Sequence, residues 1–467
     1  MLDARRTFGF AVLGLFSSSF LPVTQAQNVT WQTTPFNPPM FPLSVKSPYT
    51  SAWTAGATNE PARNWPYFGT DSTLGWLCLV QVDNTTYNAL GTAVSPNITA
   101  ETQTEFTSTR TIITSRAGPV NLVLTFLSAI DAITQQTNDL VRLSLPFSYL
   151  SVSAVSNDGA SHSVTVGERG PSGEFITSDT SMKAQWSTTT GEAIVHQMSL
   201  QSPITYSENK QRAQWGTAYL AANQTDGTTW RIGAADTVRG EFVQYGKLTN
   251  TPDSNFREVS KDWPVMAIAQ SLGTVTTQAQ AATFVLGHSR NPAVEYYTST
   301  GKQDRSLYFL SKFTSGEEAV RYAVSDYNNA RTTSTGFDSK VQSDATKYSP
   351  DYASVVAFST RQAFASMEIT LGGTGSGADL QDIKLFTKDA AVDDTGASRE
   401  GVLSAVDSLY SLMPMLVYTN PSIGNYGLAS LLEYVPVSGV QSFAVHDLGL
   451  RYSRVISHAQ QSRNPLD

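Results

Sequence analysis

Residues 349–364 read SPDYASVVAFSTRQAF, a helix start followed by chemically capable side chains in apolar company. Ser349 suits an N-cap, Pro350 the first helical position and Asp351 the positive end of the helix dipole. A helical phase sets Tyr352, Val355 and Ser359 on one face, with Val356, Ala363 and the pair Arg361–Gln362 close by. A guanidinium buried without a partner costs several kcal/mol or more. Arg361 is therefore expected either to bridge to a carboxylate or to meet a substrate.

Outward from this stretch the chain divides. Toward the C-terminus, GEEAVRYAVSDYNNA, EGVLSAVDSLYSLMPMLVY and GNYGLASLLEYV repeat their apolar residues at three and four, so the text from about residue 311 onward reads as helical. Toward the N-terminus, residues 27–310 hold short runs rich in β-branched and aromatic residues: GWLCLVQVD, TRTIITS, VNLVLTFLSA, LVRLSLPFSYLSVSAVS, HSVTVG, WRIGAAD and AATFVLGHS. Turn signals such as Asn-Asp-Gly and Thr-Asp-Gly separate them, which predicts a large antiparallel β-sandwich. GGTGSGAD at Gly372–Asp379 is read as a flexible loop and not a phosphate loop, because no Lys-Ser/Thr follows.

Composition narrows the function. With 467 residues, 15% charged residues and a net charge of -8, the chain offers no basic face for a nucleic acid. Arg5 and Arg6, the apolar run from Phe8 to about Leu21 and the small-residue step at Thr24-Gln25-Ala26 predict a secretory signal peptide over residues 1–26. The expected destination is extracellular or the cell wall, with no membrane association after cleavage. Sequons at Asn28, Asn84, Asn97 and Asn223 fit that route as N-glycosylation sites. Cys78 is the single cysteine, so no intrachain disulfide is available. It alternates with Trp76 and Val80 and is expected as a core thiol.

Common catalytic motifs are missing. Gly287-His288-Ser289-Arg290-Asn291 lacks the last glycine of a nucleophile elbow, and there is no HExxH. Carboxylates in the C-terminal half remain for general acid and base work: Asp326, Asp351, Asp393, Asp394, Asp407, Glu433 and Asp447. His446 beside Asp447 could hold a proton or serve in capping and packing. No metal site or cofactor is called for. The run Asp389–Asp394 offers oxygens of the kind calcium takes without demanding the ion.

Several blocks carry a family resemblance: FPLSVKSPYTSAW, GWLCLVQVDNTTY, FTSTRTIITSRAGPVNLVLTFLSAI, LVRLSLPFSYLSVSA, KDWPVMAIAQSLG, VLGHSRNPAVEYY, QDRSLYFLSKF, SPDYASVVAFSTRQAF and VHDLGLRY. Running from about Phe41 to Tyr452, they resemble the fungal secreted glutaminases of the glutaminase A type. The resemblance implies an N-terminal β domain, a C-terminal (α/α) six-hairpin toroid and hydrolysis of L-glutamine to L-glutamate and ammonia. It also implies a pocket at the toroid's mouth facing the β domain, where Arg361 would take the α-carboxylate bidentately. On this reading water is activated by a carboxylate among Asp351, Asp394 and Asp447, with Tyr352, Arg361, Gln362 and His446 binding or polarising the amide.

The chain departs from the family pattern twice. Lys388–Val406 reads KDAAVDDTGASREGVLSAV, keeping an acid at Asp394 and a glycine at Gly396 but not the family's Asn. After the HDLG motif the text is RYSRVISHAQQSRNPLD, so an incomplete toroid over residues 311–467 is expected. Two rival readings stay open: a glycoside hydrolase-like enzyme of the same architecture, and an inactive secreted binding protein.

Overall fold

The computed structural model describes residues 38–56, 61–69, 72–92, 95, 97–130, 139–389, 401–438, 445–449 and 452–455. Within these limits the period-two text folds as the alternation predicts. A nine-stranded sheet runs, in spatial order, Arg257–Glu258, Lys183–Thr189, Ala193–Leu200, Thr217–Asn223, Gln280–Ser289, Phe147–Ser156, Val120–Leu127, Arg110–Ala117 and Ala100–Phe106. All its neighbours are antiparallel. A six-stranded sheet faces it, in the order Thr251–Pro252, Thr228–Gly233, Val265–Val275, His162–Ser172, Leu77–Val82 and Thr85–Leu90.

Between the sheets lies a dry core. Cys78, Val80, Val164, Val166 and Ile268 of the smaller sheet, with Trp76 just before its Leu77–Val82 strand, meet Leu124, Phe126, Leu150, Val152, Leu220 and Phe284 of the larger. Each such side chain contributes about 1.5–3 kcal/mol when fully removed from water. Cys78 is at 0% exposure between Trp76 and Val80, the core thiol that its alternation predicts.

The larger sheet is covered on its other face too. Phe147, Tyr149, Val195, Tyr219 and Val285 point away from the sandwich core and pack with Ala319, Val320 and Ala323 of a later helix. Central strands buried on both faces lose clean alternation, which explains near-continuous runs such as PFSYLSV and AATFVLG.

Six α-helices are present among the described residues: α1 Leu140–Leu143, α2 Ala235–Tyr245, α3 Gly316–Thr346, α4 Pro350–Ala365, α5 Val406–Thr419 and α6 Pro421–Leu432. Two of them interrupt the expected strands. LVRL forms α1, capped by Asp139, so its strand begins only at Phe147. The end of WRIGAAD starts α2, which covers the outer face of the six-stranded sheet through Val238 and Phe242. Gly167 permits that approach, since a Cβ there would lie 2.6 Å from the Phe242 ring.

The start of α4 is the one the sequence predicts: Ser349 accepts a hydrogen bond from the Tyr352 N–H at 3.0 Å, and Pro350 opens the helix. Its orientation corrects the expectation. Tyr352 (50% exposed), Val355 (49%), Ser359 and Gln362 do share a face, but that face is turned to solvent. Ala353, Ser354, Ala357, Thr360, Arg361 and Phe364 turn inward. Small residues let the helix settle on the Met40–Ser47 strand, where Ala357 and Phe358 meet Phe41 and Phe106. Both faces carry apolar residues, so periodicity alone could not choose between them.

A second correction concerns the text read as helical. It contributes three strands to a five-stranded antiparallel sheet ordered Val294–Thr298, Gly301–Leu307, Met367–Gly372, Asp379–Asp389 and Val402–Leu403. EGVLSAV is therefore not helical at Val402–Leu403, which pairs with Lys388 and Asp389, and α5 begins only at Val406. This sheet draws strands from both sides of residue 310, and α6 packs on Asp379–Asp389. The architecture is an antiparallel β-sandwich followed by a helical region.

Candidate active site at the junction of the two regions

Where the sandwich meets the five-stranded sheet, charged side chains from distant segments are buried together. The Gln280–Ser289 strand ends beside Arg290, whose side chain is at 0% exposure and forms an ion pair with Glu368, itself at 3%. Arg290 also donates from Nη1 to the Ala293 carbonyl at 3.0 Å. Its guanidinium lies over the rings of Tyr49 (4.1 Å to the centroid) and Trp215 (5.2 Å). Desolvated contacts of this kind add cation–π attraction to the ion pair.

The second oxygen of Glu368 accepts from the Tyr452 hydroxyl at 2.6 Å. A parallel arrangement surrounds Glu208, whose Oε1 accepts from Lys388 Nζ at 2.8 Å and from the Tyr49 hydroxyl. Lys388 Nζ stands 4.8 Å from the centre of the Tyr49 ring, and the Tyr49 and Tyr452 rings meet edge to face at 5.7 Å. Two carboxylates, two cations and two phenols thus form one contact set.

Burial sets the proton positions. It raises the Tyr49 and Tyr452 hydroxyls well above their ordinary range, reinforced by Glu208 and Glu368 respectively, so both phenols stay protonated donors. Burial lowers the Lys388 ammonium, and Glu208 opposes that effect. His288, one residue from the end of the strand, is pushed down to about 3 by burial and by Arg290. It is neutral at pH 7, and neither ring nitrogen has a hydrogen-bond partner. Glu368 also lines a cavity of about 20 Å³ with Lys46, Phe364, Met367 and Ile423, enough for a water molecule. The arrangement supplies what general acid and base chemistry requires: carboxylates fixed in position, hydroxyl donors on them and room for a water.

The residues singled out from sequence are distributed differently. Asp351 is exposed in the first turn of α4, on the same outer side as Tyr352 and Gln362. Arg361 is at 1% exposure, with Nη2 donating to the Pro42 carbonyl at 3.2 Å and with Nε and Nη1 unpartnered. Burial lowers it to about 9, partly offset by Asp338, yet Asp338 is held by Arg110, Thr107 and Thr109 instead. Neither a carboxylate bridge nor an accessible bidentate fork is therefore present at Arg361.

Asp447 is buried, accepting from the Gly449 N–H at 2.9 Å, while its neighbour His446 is exposed and 3.1 Å from it. The HDLG backbone is pinned next to Leu403 and the start of α5, through Leu448 to Leu403 and Val406 to His446. Asp326 pairs with Arg142 and Glu433 with Lys384. Asp393, Asp394 and the side chains of the Asp389–Asp394 run lie outside the described residues, as do Asn28 and the signal sequence. Asn84, Asn97 and Asn223 are all exposed.

Sequence reasoning missed the members of the buried set, although some left signals. Tyr49, Arg290 and Tyr452 each fall inside a block quoted above for the family resemblance. Glu368 interrupts the apolar run MEITL, and an acid there needs a buried partner. Glu208 sits in polar turn text and carries no such mark.

Comparison with known proteins fits this layout. Residues 109–344 match a domain of unknown function (DUF5127), and residues 349–467 match the glutaminase A six helical-hairpin domain. The chain belongs to the glutaminase A family. Glutaminase A of Aspergillus oryzae is 32% identical over 450 residues, covering 93% of this chain and 62% of its own length. A probable glutaminase of Arthroderma benhamiae is 26% identical over 456 residues, covering 90% and 50%. The chain thus spans half to three fifths of the length of these relatives. A putative kojibiose phosphorylase from human microbiome aligns at a TM-score of 0.35 and 8% identity, over 69% of this chain and 39% of its own, too low a likeness to carry an argument. Within the glutaminase A family, then, this chain's helices from residue 349 onward are those of the six-hairpin domain.

Proposed function

We propose that this chain is a secreted amidohydrolase that converts L-glutamine to L-glutamate and ammonia, and that the reaction centre lies at the junction around Glu368 and Glu208. One observation carries the reading: Tyr49, Arg290 and Tyr452, from three blocks that resemble the glutaminase A family, converge on two buried carboxylates. The names of the two relatives supply the substrate class.

Amide hydrolysis needs a water deprotonated as it attacks, a donor for the developing oxyanion and a proton for the departing ammonia. In this reading a carboxylate of the cluster takes the proton from water as it attacks the amide carbon, and the Tyr452 hydroxyl turns from Glu368 to donate to the oxyanion. The carboxylic acid returns its proton to the amide nitrogen as the C–N bond breaks and ammonia leaves. Asp447 and His446 form a second carboxylate-bearing edge near Leu403, and Asp394 is kept as a candidate on the family resemblance alone. Asp351, Tyr352 and Gln362, on the solvent side of α4, are given no part in the chemistry. Arg361 is assigned a positioning role between α4 and the Met40–Ser47 strand.

The test is ammonia release by the purified 467-residue protein from L-glutamine, run beside a panel of chromogenic glycosides. Release from glutamine alone is expected. Turnover of glycosides without ammonia release would overturn the assignment in favour of a carbohydrate substrate.

A further inference from the structure

On the far side of the sandwich, beneath α2, two arginines line one pocket, and of the two Arg239 pairs with the exposed Asp236. Alternation along His162–Ser172 turns Glu168 into the sandwich core, against Trp76, and Arg169 outward under the helix. Arg169 is 5% exposed, and its Nε and Nη1 have no hydrogen-bond partner. From α2, Arg239 lines the same pocket, and its buried Nε is also unpartnered. Leu77, Leu79, Val238 and Phe242 supply much of the remaining wall, with Glu168 also lining the volume of about 20 Å³.

The acids in electrostatic reach of Arg169 are each engaged elsewhere or exposed. Glu174 accepts from the Gly75 N–H at 3.0 Å and the Ser172 hydroxyl at 2.9 Å. Asp236 is 98% exposed and lies 3.3 Å from Arg239 Nη1. Glu168 is fully buried, and burial pushes its carboxyl up to about 8, so at neutral pH it mostly carries a proton. Burial and the nearby Arg239 lower Arg169 to about 9, opposed in part by Glu174, Asp236 and Glu168.

We propose that this pocket binds a small monovalent anion of the halide class, chloride in practice, between the guanidinium groups of Arg169 and Arg239. The volume admits an ion of about one water's size. Apolar walls strengthen the attraction, because little water competes for the ion. Arg239, whose side chain is 21% exposed, leaves a route of entry. The ion would fasten α2 to the six-stranded sheet, far from the junction cluster and independent of the reaction assigned to it.

Thermal unfolding of the intact protein tests this, in sodium chloride against sodium gluconate at the same ionic strength. Chloride at roughly 100 mM is expected to raise the midpoint saturably by at least about 2 °C. Arg169→Met should abolish the difference. Should that variant fail to fold, Arg239→Gln is expected to shift the chloride response to higher concentration. Crystals grown in bromide should show an anomalous peak in the pocket. Equal midpoints in the two salts, or a pocket without bromide, would overturn the proposal.

Discussion

The sandwich core and the junction both bury their side chains, but they are held together by different means. Between the two large sheets, Trp76, Val80, Leu124, Phe126, Leu150 and Phe284 meet with few polar atoms to satisfy. At the junction, Arg290, Glu368, Glu208 and Lys388 are equally buried, and each depends on its partner. Apolar packing degrades gradually when one side chain is cut back. A buried ion pair fails abruptly, because the survivor is left charged in a poor solvent. The junction is therefore specific and fragile where the sandwich is tolerant.

The largest effect should come from breaking the junction pair. Arg290→Met leaves Glu368 without its cation and is expected to cost about 3–5 kcal/mol in urea unfolding. A loss below about 1 kcal/mol would mean that water already reaches the pair. Leu124→Ala in the sandwich should cost about 3 kcal/mol. Below its unfolding temperature that variant should release ammonia at the wild-type rate, whereas Arg290→Met should not. Equal activity losses in both would erase the distinction between the regions.

One acid inside the sandwich sharpens the contrast. Glu168 rises from its ordinary value of 4.5 to about 8, chiefly by burial, so the folded state holds a proton that the unfolded chain releases. Its contribution is complete below about pH 4.5 and is lost as pH climbs through 8. Glu168→Gln keeps an acceptor for the Trp76 N–H. It should flatten the decline in stability over that window, and an unchanged slope in unfolding measured from pH 5 to 8 would contradict the assignment.

The smallest effect belongs to the outer side of α4. Gln362→Ala should change stability by no more than about 0.5 kcal/mol, since the side chain faces solvent. Should it raise the KM for glutamine several-fold, substrate must approach that face, and the reaction centre would move outward from the junction.

How much of this was legible in the sequence follows the same division. Period-two runs such as HSVTV and VNLVLTF encode their strands locally, and Ser349-Pro350-Asp351 encodes the start of α4. The family blocks made the domain class readable. What could not be read is which face of α4 turns inward, because that choice lies in Phe41 and Phe106, hundreds of residues away. The short Val402–Leu403 strand likewise needs Lys388 and Asp389 to exist. The junction cluster is illegible for the same reason: Tyr49, Glu208, Arg290, Glu368, Lys388 and Tyr452 share no local pattern, and only the fold brings them together.

Tyr452→Phe tests the central claim most directly. It removes one hydroxyl from Glu368 and leaves the ring against Tyr49. Loss of a hydrogen bond to a charged group is worth about 1.5–3 kcal/mol, so ammonia release from L-glutamine should fall about tenfold or more. A protein that retains wild-type turnover after this change would show that the buried junction is scaffolding and that the chemistry lies elsewhere.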